Sequence, residues 1–218
     1  MFTKEPEGDL PTFKDANLEF EFEERVFEEK EVKKLLDELN PNKSKGPDCL
    51  HPKALKELKS VLAKPLTRIF NASKEEAKVL EIWKIGNVVA LFKKGDKSDP
   101  SNYRPVSLTS IACKMMEKLV KNQIVEHTCM KRNKLFSKKQ FGFISGRSTT
   151  LQLLLVLVQW TEIIDNGCSI DSVYVDFLKA FDKVPHRRLM KKWNTMALEK
   201  KHSTGFRTFQ HTENRKFQ

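Results

Sequence analysis

The fold-deciding stretch of this chain is Ser172-Val-Tyr-Val-Asp-Phe-Leu-Lys-Ala-Phe-Asp-Lys-Val-Pro-His186. Its β-branched and aromatic run, Val173 to Val175, predicts a buried strand. Asp176 stands at the end of that strand. A carboxylate held by a rigid element is what a metal-dependent phosphoryl-transfer site needs. A capping or turn role for Asp176 is the alternative, and the residues alone favour it.

A second carboxylate is missing from the residues that follow. From Lys183 to Gln218 there is no aspartate, and the only acidic residues are Glu199 and Glu213. Metal sites for phosphoryl transfer use two ions held by several shared carboxylates. The sequence therefore predicts one half of such a site.

Upstream of this stretch, hydrophobic periodicity predicts mostly helices. Apolar residues nearly all round the segment from Thr149 to Ile164 predict a deeply buried helix. Ile111 to His127 is a further helix, and Phe136 to Arg147 is irregular and basic. Asn87 to Phe92 is a compact strand candidate, which makes the fold a helix-rich mixture of helix and strand, an α/β (α+β) class.

The N-terminal part predicts two more helices behind an acidic leader. Residues 1–24 are acidic and aperiodic and predict little fixed structure. Val32 to Leu39 has helical spacing, and a second helix starting at Pro52 should kink or restart at Pro65. Beyond Lys192 no period is evident, so residues 193–218 predict a poorly ordered tail.

The net charge of +11 is unevenly distributed. Residues 1–31 carry 4 Lys or Arg against 11 Asp or Glu, whereas residues 183–218 carry 10 against 2. A basic body behind an acidic leader indicates a polyanionic partner such as nucleic acid, and a solvated lysine-rich surface is the alternative. The four cysteines contain no Cys-x-x-Cys pair, which argues against a structural zinc site.

Targeting signals are not evident in the sequence. The N-terminus lacks the apolar core of a signal peptide, and the longest apolar run, Leu153 to Val158, is too short to span a bilayer. We therefore expect a soluble intracellular protein, in the nucleus or the cytoplasm, without a membrane partner.

Two basic segments are candidates for phosphate binding. Lys93, Lys94 and Arg104 lie just after the strand candidate, and arginine can engage phosphate oxygens bidentately. A solvated loop is the alternative for these three. Gln140 to Thr149 combines glycines with aromatic residues and Arg147, which permits close backbone approach, stacking and phosphate contact.

Taken together, seven ordered strings resemble the reverse transcriptases of non-LTR retrotransposons, closest to the jockey and chicken-repeat branches of long interspersed elements. The resemblance covers roughly residues 25–192. The strings are Lys43-Ser-Lys-Gly-Pro-Asp48 with His51-Pro52, Trp83-Lys84, Phe92-Lys-Lys-Gly-Asp-Lys97, Asn102-Tyr-Arg-Pro-Val-Ser-Leu108, Gln140-Phe-Gly-Phe143, Gly146-Arg-Ser-Thr149 and Tyr174-Val-Asp-Phe-Leu-Lys-Ala-Phe-Asp182.

This resemblance implies a right-hand polymerase, with fingers over residues 25–150 and the start of the palm over residues 151–192. It implies that Asp176 is the first catalytic aspartate and binds Mg²⁺ or Mn²⁺, together with the backbone carbonyl of Phe177. It implies an RNA template, a DNA primer and deoxynucleoside triphosphates as partners. The nucleotide-binding residues that it implies are Arg104, Lys93, Lys94, Phe181, Gln140, Gly146 and Arg147.

The sequence departs from the family in ways that affect its expected activity. The family takes its second set of metal ligands from an aromatic-Ala-Asp-Asp hairpin, which nothing after Asp182 supplies, and the thumb is missing too. We therefore expect a chain truncated within the palm and inactive alone. A non-catalytic RNA- or DNA-binding relic, or one without function, is the alternative. Cys49 also stands where the family usually has glycine.

Overall fold

The computed structural model describes residues 8–13, 25–126, 136–177, 180 and 183–195. It confirms an α+β class, in which six helices accompany one small sheet among those residues. The elements in chain order are α1 (Glu29–Asp37), α2 (Pro52–Glu57), α3 (Lys59–Glu75), β1 (Gly86–Phe92), β2 (Tyr103–Thr109), α4 (Ile111–Glu126), α5 (Thr149–Asp165) and α6 (His186–Thr195), with 3₁₀ turns at Glu81–Lys84 and Pro100–Asn102.

Helices α1, α3 and α4 form the core. Helix α1 begins with a capping box, in which Glu28 and Glu31 each accept a hydrogen bond from the other's backbone N–H. It buries Val32, Leu35 and Leu36 on one side, as its helical spacing predicted. Phe70 of α3 and Met116 of α4 are fully buried against the same cluster.

Polar contacts between residues far apart in the sequence tie the N-terminal segment to this core. The Asn71 side chain accepts from the Phe27 N–H at 2.8 Å and donates to the Phe27 carbonyl at 3.0 Å. The Gln123 amide on α4 donates to the Arg25 carbonyl at 2.7 Å. Gln123 is buried, so its hydrogen bond offsets the cost of removing its amide from water. These bonds fix the chain entry to α1.

Strands β1 and β2 form an antiparallel hairpin. Their register pairs Gly86 with Thr109 and Phe92 with Tyr103, whose rings meet edge to face at 5.5 Å. The sequence predicted β1 but not β2. Pro105 lies inside β2, and a proline, which lacks a ladder donor, argues against a strand unless that strand lies at an edge. A two-stranded sheet has only edge strands, so Pro105 is tolerated.

The predicted restart of the second helix at Pro65 does not occur. Helix α3 continues through Pro65, and the interruption between α2 and α3 falls at Leu58 instead. In the loop before α2, Cys49 has a positive φ of 57°. That is the left-handed region that favours glycine, the residue usual at this position in the resembled family.

Two predictions for the C-terminal third were also wrong. Val173 to Val175 forms no strand, and its three side chains are exposed by 86%, 84% and 73%. The helix at Thr149 is present as α5, but it has no buried residue. The apolar side chains of α5 favour burial against other elements, but among the described residues no element buries them.

The terminal segments fall largely outside the described residues. Gly8 to Phe13 has neither helix nor strand, and the rest of the predicted leader lies outside them. The predicted tail began at residue 193, but α6 continues to Thr195, and residues 196–218 are not described. Within the described part of the chain, no helix has the length and hydropathy needed to cross a membrane.

Candidate functional site

The β1–β2 hairpin brings together three of the residues predicted to bind phosphate. Arg104 pairs with Leu91 across the hairpin, and the Lys93 N–H donates to the Asn102 carbonyl at 2.9 Å, one step beyond the paired strands. Because side chains alternate along a strand, Lys93 and Arg104 lie on the same face as diagonal neighbours, about 7–8 Å apart. Lys94 follows in the exposed turn.

The turn between the strands is held by its own polar side chains. Asp96 accepts from the Ser98 N–H at 2.9 Å, and Asp99 accepts from the Ser101 N–H at 2.8 Å. The Asn102 amide donates to the Asp96 carbonyl at 2.9 Å. Gly95 permits this closure, since it has φ +92° and a Cβ there would lie 2.7 Å from the Asn102 side chain.

The hairpin tip carries a net positive charge. The hydrogen bond from the Ser98 backbone, and then that from its hydroxyl, lowers the pKa of Asp96, and Ser101 lowers the pKa of Asp99 in the same way. Both carboxyls are therefore ionised at neutral pH. From Phe92 to Arg104 there are still four basic residues against these two acids, and all four are at or beside the exposed turn. A field of this sign attracts phosphate.

The two faces of the hairpin differ in character. Phe92, Tyr103 and Lys97 share one face, where the Lys97 ammonium lies 5.8 Å from the Phe92 ring centroid. The Tyr103 hydroxyl donates to the Lys97 carbonyl at 2.9 Å. The other face presents Arg104 beside three exposed apolar side chains, Val89, Leu91 and Val106. The exposed guanidinium of Arg104 suits a phosphate of nucleic acid.

Gln140, Gly146 and Arg147 lie together in the loop that precedes α5. One guanidinium nitrogen of Arg147 donates to the carbonyls of Ser137 at 2.8 Å and Lys138 at 3.3 Å, and to that of Gln140. The guanidinium carbon is 5.7 Å from the Phe141 ring centroid. In this structure Arg147 therefore holds the loop together. Gly146 has φ +80° and open space at its Cβ position.

The carboxylate candidate lies in exposed chain. Residues 171–177 have no helix or strand and are exposed, and Phe177 next to Asp176 is exposed by 74%. The described residues contain no group of three His, Cys, Asp or Glu side chains that could hold a metal ion. Asp176 and one backbone carbonyl do not by themselves fit a two-ion site. Phe181 lies outside the described residues.

Sequence reasoning missed the scaffold of the hairpin turn. The repeated Asp-x-Ser spacing of Asp96 with Ser98 and Asp99 with Ser101 is typical of an aspartate that accepts from the backbone N–H two residues on. That spacing could have identified an ordered turn. The stacking of Lys97 on Phe92 had no comparable signal, because it depends on the register of β2.

The chain is similar in sequence to known proteins. A family model described as reverse transcriptase (RNA-dependent DNA polymerase) matches residues 92–218. The chain is 31% identical over 163 residues to the RNA-directed DNA polymerase from mobile element jockey of Drosophila melanogaster, which covers 74% of this chain and 18% of the relative. It is 31% identical over 161 residues to a probable RNA-directed DNA polymerase from transposon X-element of the same species, at 73% and 18% coverage. The chain thus spans less than a fifth of the length of these curated relatives.

Proposed function

Because the chain belongs to the reverse transcriptase family, we propose that its 218 residues form a nucleic-acid- and nucleotide-binding part of a non-LTR retrotransposon RNA-directed DNA polymerase. In this proposal residues 25–150 are the fingers and residues 151–192 begin the palm. The partners are an RNA template, a DNA primer and deoxynucleoside triphosphates. The observation that carries the proposal is the basic hairpin, in which Arg104 lies on a paired strand and Lys93 directly follows the other strand.

The hairpin favours phosphate binding for two physical reasons. Its turn is held by side-chain hydrogen bonds, so a ligand does not have to order it on binding. Arg104 projects from a paired strand, where its planar guanidinium can contact two oxygens of one phosphate. Lys93 and Lys94 add point charges on either side of the start of the turn.

The remaining family positions are assigned as proposals on the same basis. Gln140, Gly146 and Arg147 would shape the loop next to the template and the nucleotide, with Arg147 acting through the carbonyls that it holds. Phe181 would pack under the nucleotide sugar. Asp176 would contribute one carboxylate to Mg²⁺ or Mn²⁺, with the Phe177 carbonyl beside it.

Nucleotidyl transfer needs more than this one carboxylate. A divalent ion bound there would supply charge stabilisation to the transferring phosphoryl group. The described residues do not gather a second and third ligand around Asp176. We therefore expect the 218-residue chain by itself to bind nucleic acid without extending a primer.

The test is the salt dependence of binding to a fluorescently labelled single-stranded oligouridylate, measured by fluorescence anisotropy. Neutralising two phosphate contacts should reduce the slope of log K against log salt by about 1.4, at roughly 0.7 for each contact to a single strand. We expect this reduction in the Lys93→Gln, Lys94→Gln double variant. The matched control is Lys33→Gln with Lys64→Gln, which removes the same charge from exposed positions on α1 and α3.

Two further variants separate binding from chemistry. Arg104→Lys keeps the charge but loses the bidentate geometry, so it should weaken binding of a deoxynucleoside triphosphate while leaving the salt slope for oligouridylate unchanged. Asp176→Ala should leave oligouridylate binding unchanged. Equal slopes for the hairpin variant and the control would refute the role of the hairpin. Primer extension on RNA by the purified chain would refute the expected lack of catalysis.

A further inference from the structure

Asn102 joins the two ends of the hairpin turn. Its carbonyl accepts from the Lys93 N–H at 2.9 Å, and its own N–H donates to the Asp99 carbonyl at 3.1 Å. Its side-chain amide donates to the Asp96 carbonyl at 2.9 Å. One half-buried residue therefore makes three hydrogen bonds to the segment that begins at Lys93 and leads to Arg104.

The Asn102 side chain occupies a space that glycine leaves open. A Cβ at Gly95 would lie 2.7 Å from the Asn102 Nδ2 and 2.9 Å from its Cγ, so the amide lies against the Gly95 backbone. The same amide supplies the donor to the Asp96 carbonyl. An aspartate of the same shape has no N–H to donate, and a glutamine is longer by one methylene group. Gly95 and Asn102 together therefore determine the shape of the turn.

These bonds determine where the cations of the hairpin lie. Lys93 is held through its backbone N–H, and Arg104 follows Asn102 by two residues on β2. Lys94 lies in the turn between the strands. The three side chains keep their charges whatever the shape of the turn, but a ligand binds more tightly when its contacts are already arranged. Asn102 therefore controls the arrangement of these charges and not their number.

We infer that Asn102 is a positioning residue for the triphosphate of a deoxynucleotide bound at the hairpin. It acts by holding Lys93, Lys94 and Arg104 in one arrangement. The apparent affinity of a site falls with the fraction of molecules in the binding-competent form, so loosening the turn weakens triphosphate binding without removing a charge. This inference rests on the proposed phosphate binding of the hairpin, and the experiment below distinguishes the failure of one from the failure of the other.

A triphosphate depends more on this arrangement than a polymer does. Its phosphates are compact, so all the cations must contact them at one place. A single strand of nucleic acid can shift along a basic surface and satisfy the same charges in several registers, which makes its binding tolerant of geometry. Oligouridylate binding therefore reports the charge of the hairpin, whereas triphosphate binding reports the arrangement of that charge.

The experiment measures deoxyadenosine triphosphate binding by isothermal titration calorimetry for the unaltered chain, Asn102→Ala and Asn166→Ala. Asn166→Ala is the matched control, because the Asn166 amide donates to the Glu162 carbonyl at 2.8 Å at the end of α5. Loss of one neutral hydrogen bond changes an equilibrium by about two- to tenfold. We therefore expect Asn102→Ala to weaken triphosphate binding about fivefold and the control to leave it unchanged.

Two readouts separate positioning from a merely structural role. The salt slope of oligouridylate binding by Asn102→Ala should equal that of the unaltered chain, since no charge is lost. A merely structural role would lower the urea midpoint and leave the affinity of the folded chain for the triphosphate unchanged. Gly95→Ala reaches the same amide by a second route, because its methyl group meets the Asn102 side chain. It should weaken triphosphate binding as well, again with an unchanged salt slope.

The other outcomes overturn the inference in distinguishable ways. If Asn102→Ala binds the triphosphate like the unaltered chain while Arg104→Lys binds it more weakly, the positioning role is refuted and the proposed function stands. If Gly95→Ala alone weakens binding, the amide is not needed and the inference is refuted. A reduced salt slope for Asn102→Ala would also refute it, because phosphate contacts would then be lost and not rearranged. If the unaltered chain binds neither ligand, both the inference and the proposed function fail.

Discussion

Replacing Gly46 by alanine should destabilise the fold, because the site has no room for a methyl group. A Cβ built on Gly46 lies 2.7 Å from the Thr109 carbonyl oxygen and 2.9 Å from the Ser110 Cα. Both are backbone atoms at the junction where β2 ends and α4 begins, and Ser110 is fully buried. Neither can move aside by rotating a side chain, so the backbone must shift.

The cost of this shift follows from the packing on both sides of the junction. Inserting a methyl group into a well-packed interior typically costs 1–3 kcal/mol, and we expect about 2 kcal/mol here. With a urea dependence of about 2 kcal/mol per molar, the unfolding midpoint should fall by about 1 M. The same shift moves the base of the hairpin, so oligouridylate binding should weaken as well.

Urea unfolding followed by far-ultraviolet circular dichroism measures the change. Gly142→Ala is the matched control, since a Cβ at Gly142 has no heavy atom within 4 Å and its φ is not positive. There the only effect is the reduced freedom of the unfolded chain, which raises stability by about 0.4–1 kcal/mol. An unchanged urea midpoint for Gly46→Ala would refute the close approach of Gly46 to the backbone of Thr109 and Ser110.

Three further changes test other parts of the fold. Cys49→Gly should raise the free energy of unfolding by about 0.5–1 kcal/mol, because it removes the left-handed strain at φ 57° and the entropy cost of glycine offsets only part of the gain. Arg25→Gln should lower it by up to about 1 kcal/mol at neutral pH, because Arg25 makes two hydrogen bonds to Glu31 and lowers the pKa of that carboxyl. That contribution is present above the ordinary value of 4.5 and is lost as the pH falls through the lower folded pKa, so the stability difference between the two chains should shrink in acid. Leu153→Gln with Val158→Gln should reduce the fluorescence of anilinonaphthalene sulfonate, because these side chains are exposed by 63% and 65%.

Each of these three has a measurement that contradicts it. Chemical denaturation in which Cys49→Gly unfolds at a lower midpoint would show that the left-handed turn is not strained. A stability difference for Arg25→Gln that does not shrink at low pH would mean that Glu31 is not its source. Undiminished dye fluorescence in the Leu153→Gln, Val158→Gln chain would mean that α5 is covered in solution.

Local sequence patterns predicted the elements whose conformation is determined mainly by their own residues. Helices α1, α4 and α5 follow from spacing and side-chain type alone, because a helix satisfies its backbone hydrogen bonds within one segment. Strand β1 was predicted from its side-chain types, and β2 supplies its partner. The Val173 to Val175 strand was wrong for the complementary reason. A strand becomes regular only when another strand pairs with it, and none of the described residues does so. Its β-branched residues indicate a preference for strand conformation, but they do not identify the strand that would pair with it.

The candidate site was predictable in composition but not in geometry. Lys93, Lys94 and Arg104 could be selected by charge, yet the shared face of Lys93 and Arg104 depends on the register of β2. The exposure of α5 could not be predicted either, because burial of its apolar side chains depends on which other elements pack against it. The hydrogen bonds from Arg147 to three carbonyls of its own loop likewise had no signal in the sequence.

The hydrogen bond between Gln123 and the Arg25 carbonyl has a consequence for synthesis on the ribosome. The two residues are separated by 98 positions, and the ion pair of Lys118 with Glu38 by 80. Helix α3 ends at Glu75, so a further 48 residues must be translated before Gln123 exists, which takes about 2 to 10 seconds at 5–20 residues per second. The same delay separates the emergence of α3 from that of Gln123, so the apolar sides of α1 and α3 are outside the exit tunnel before α4 can cover them. The nascent chain therefore exposes hydrophobic surface until α4 leaves the exit tunnel.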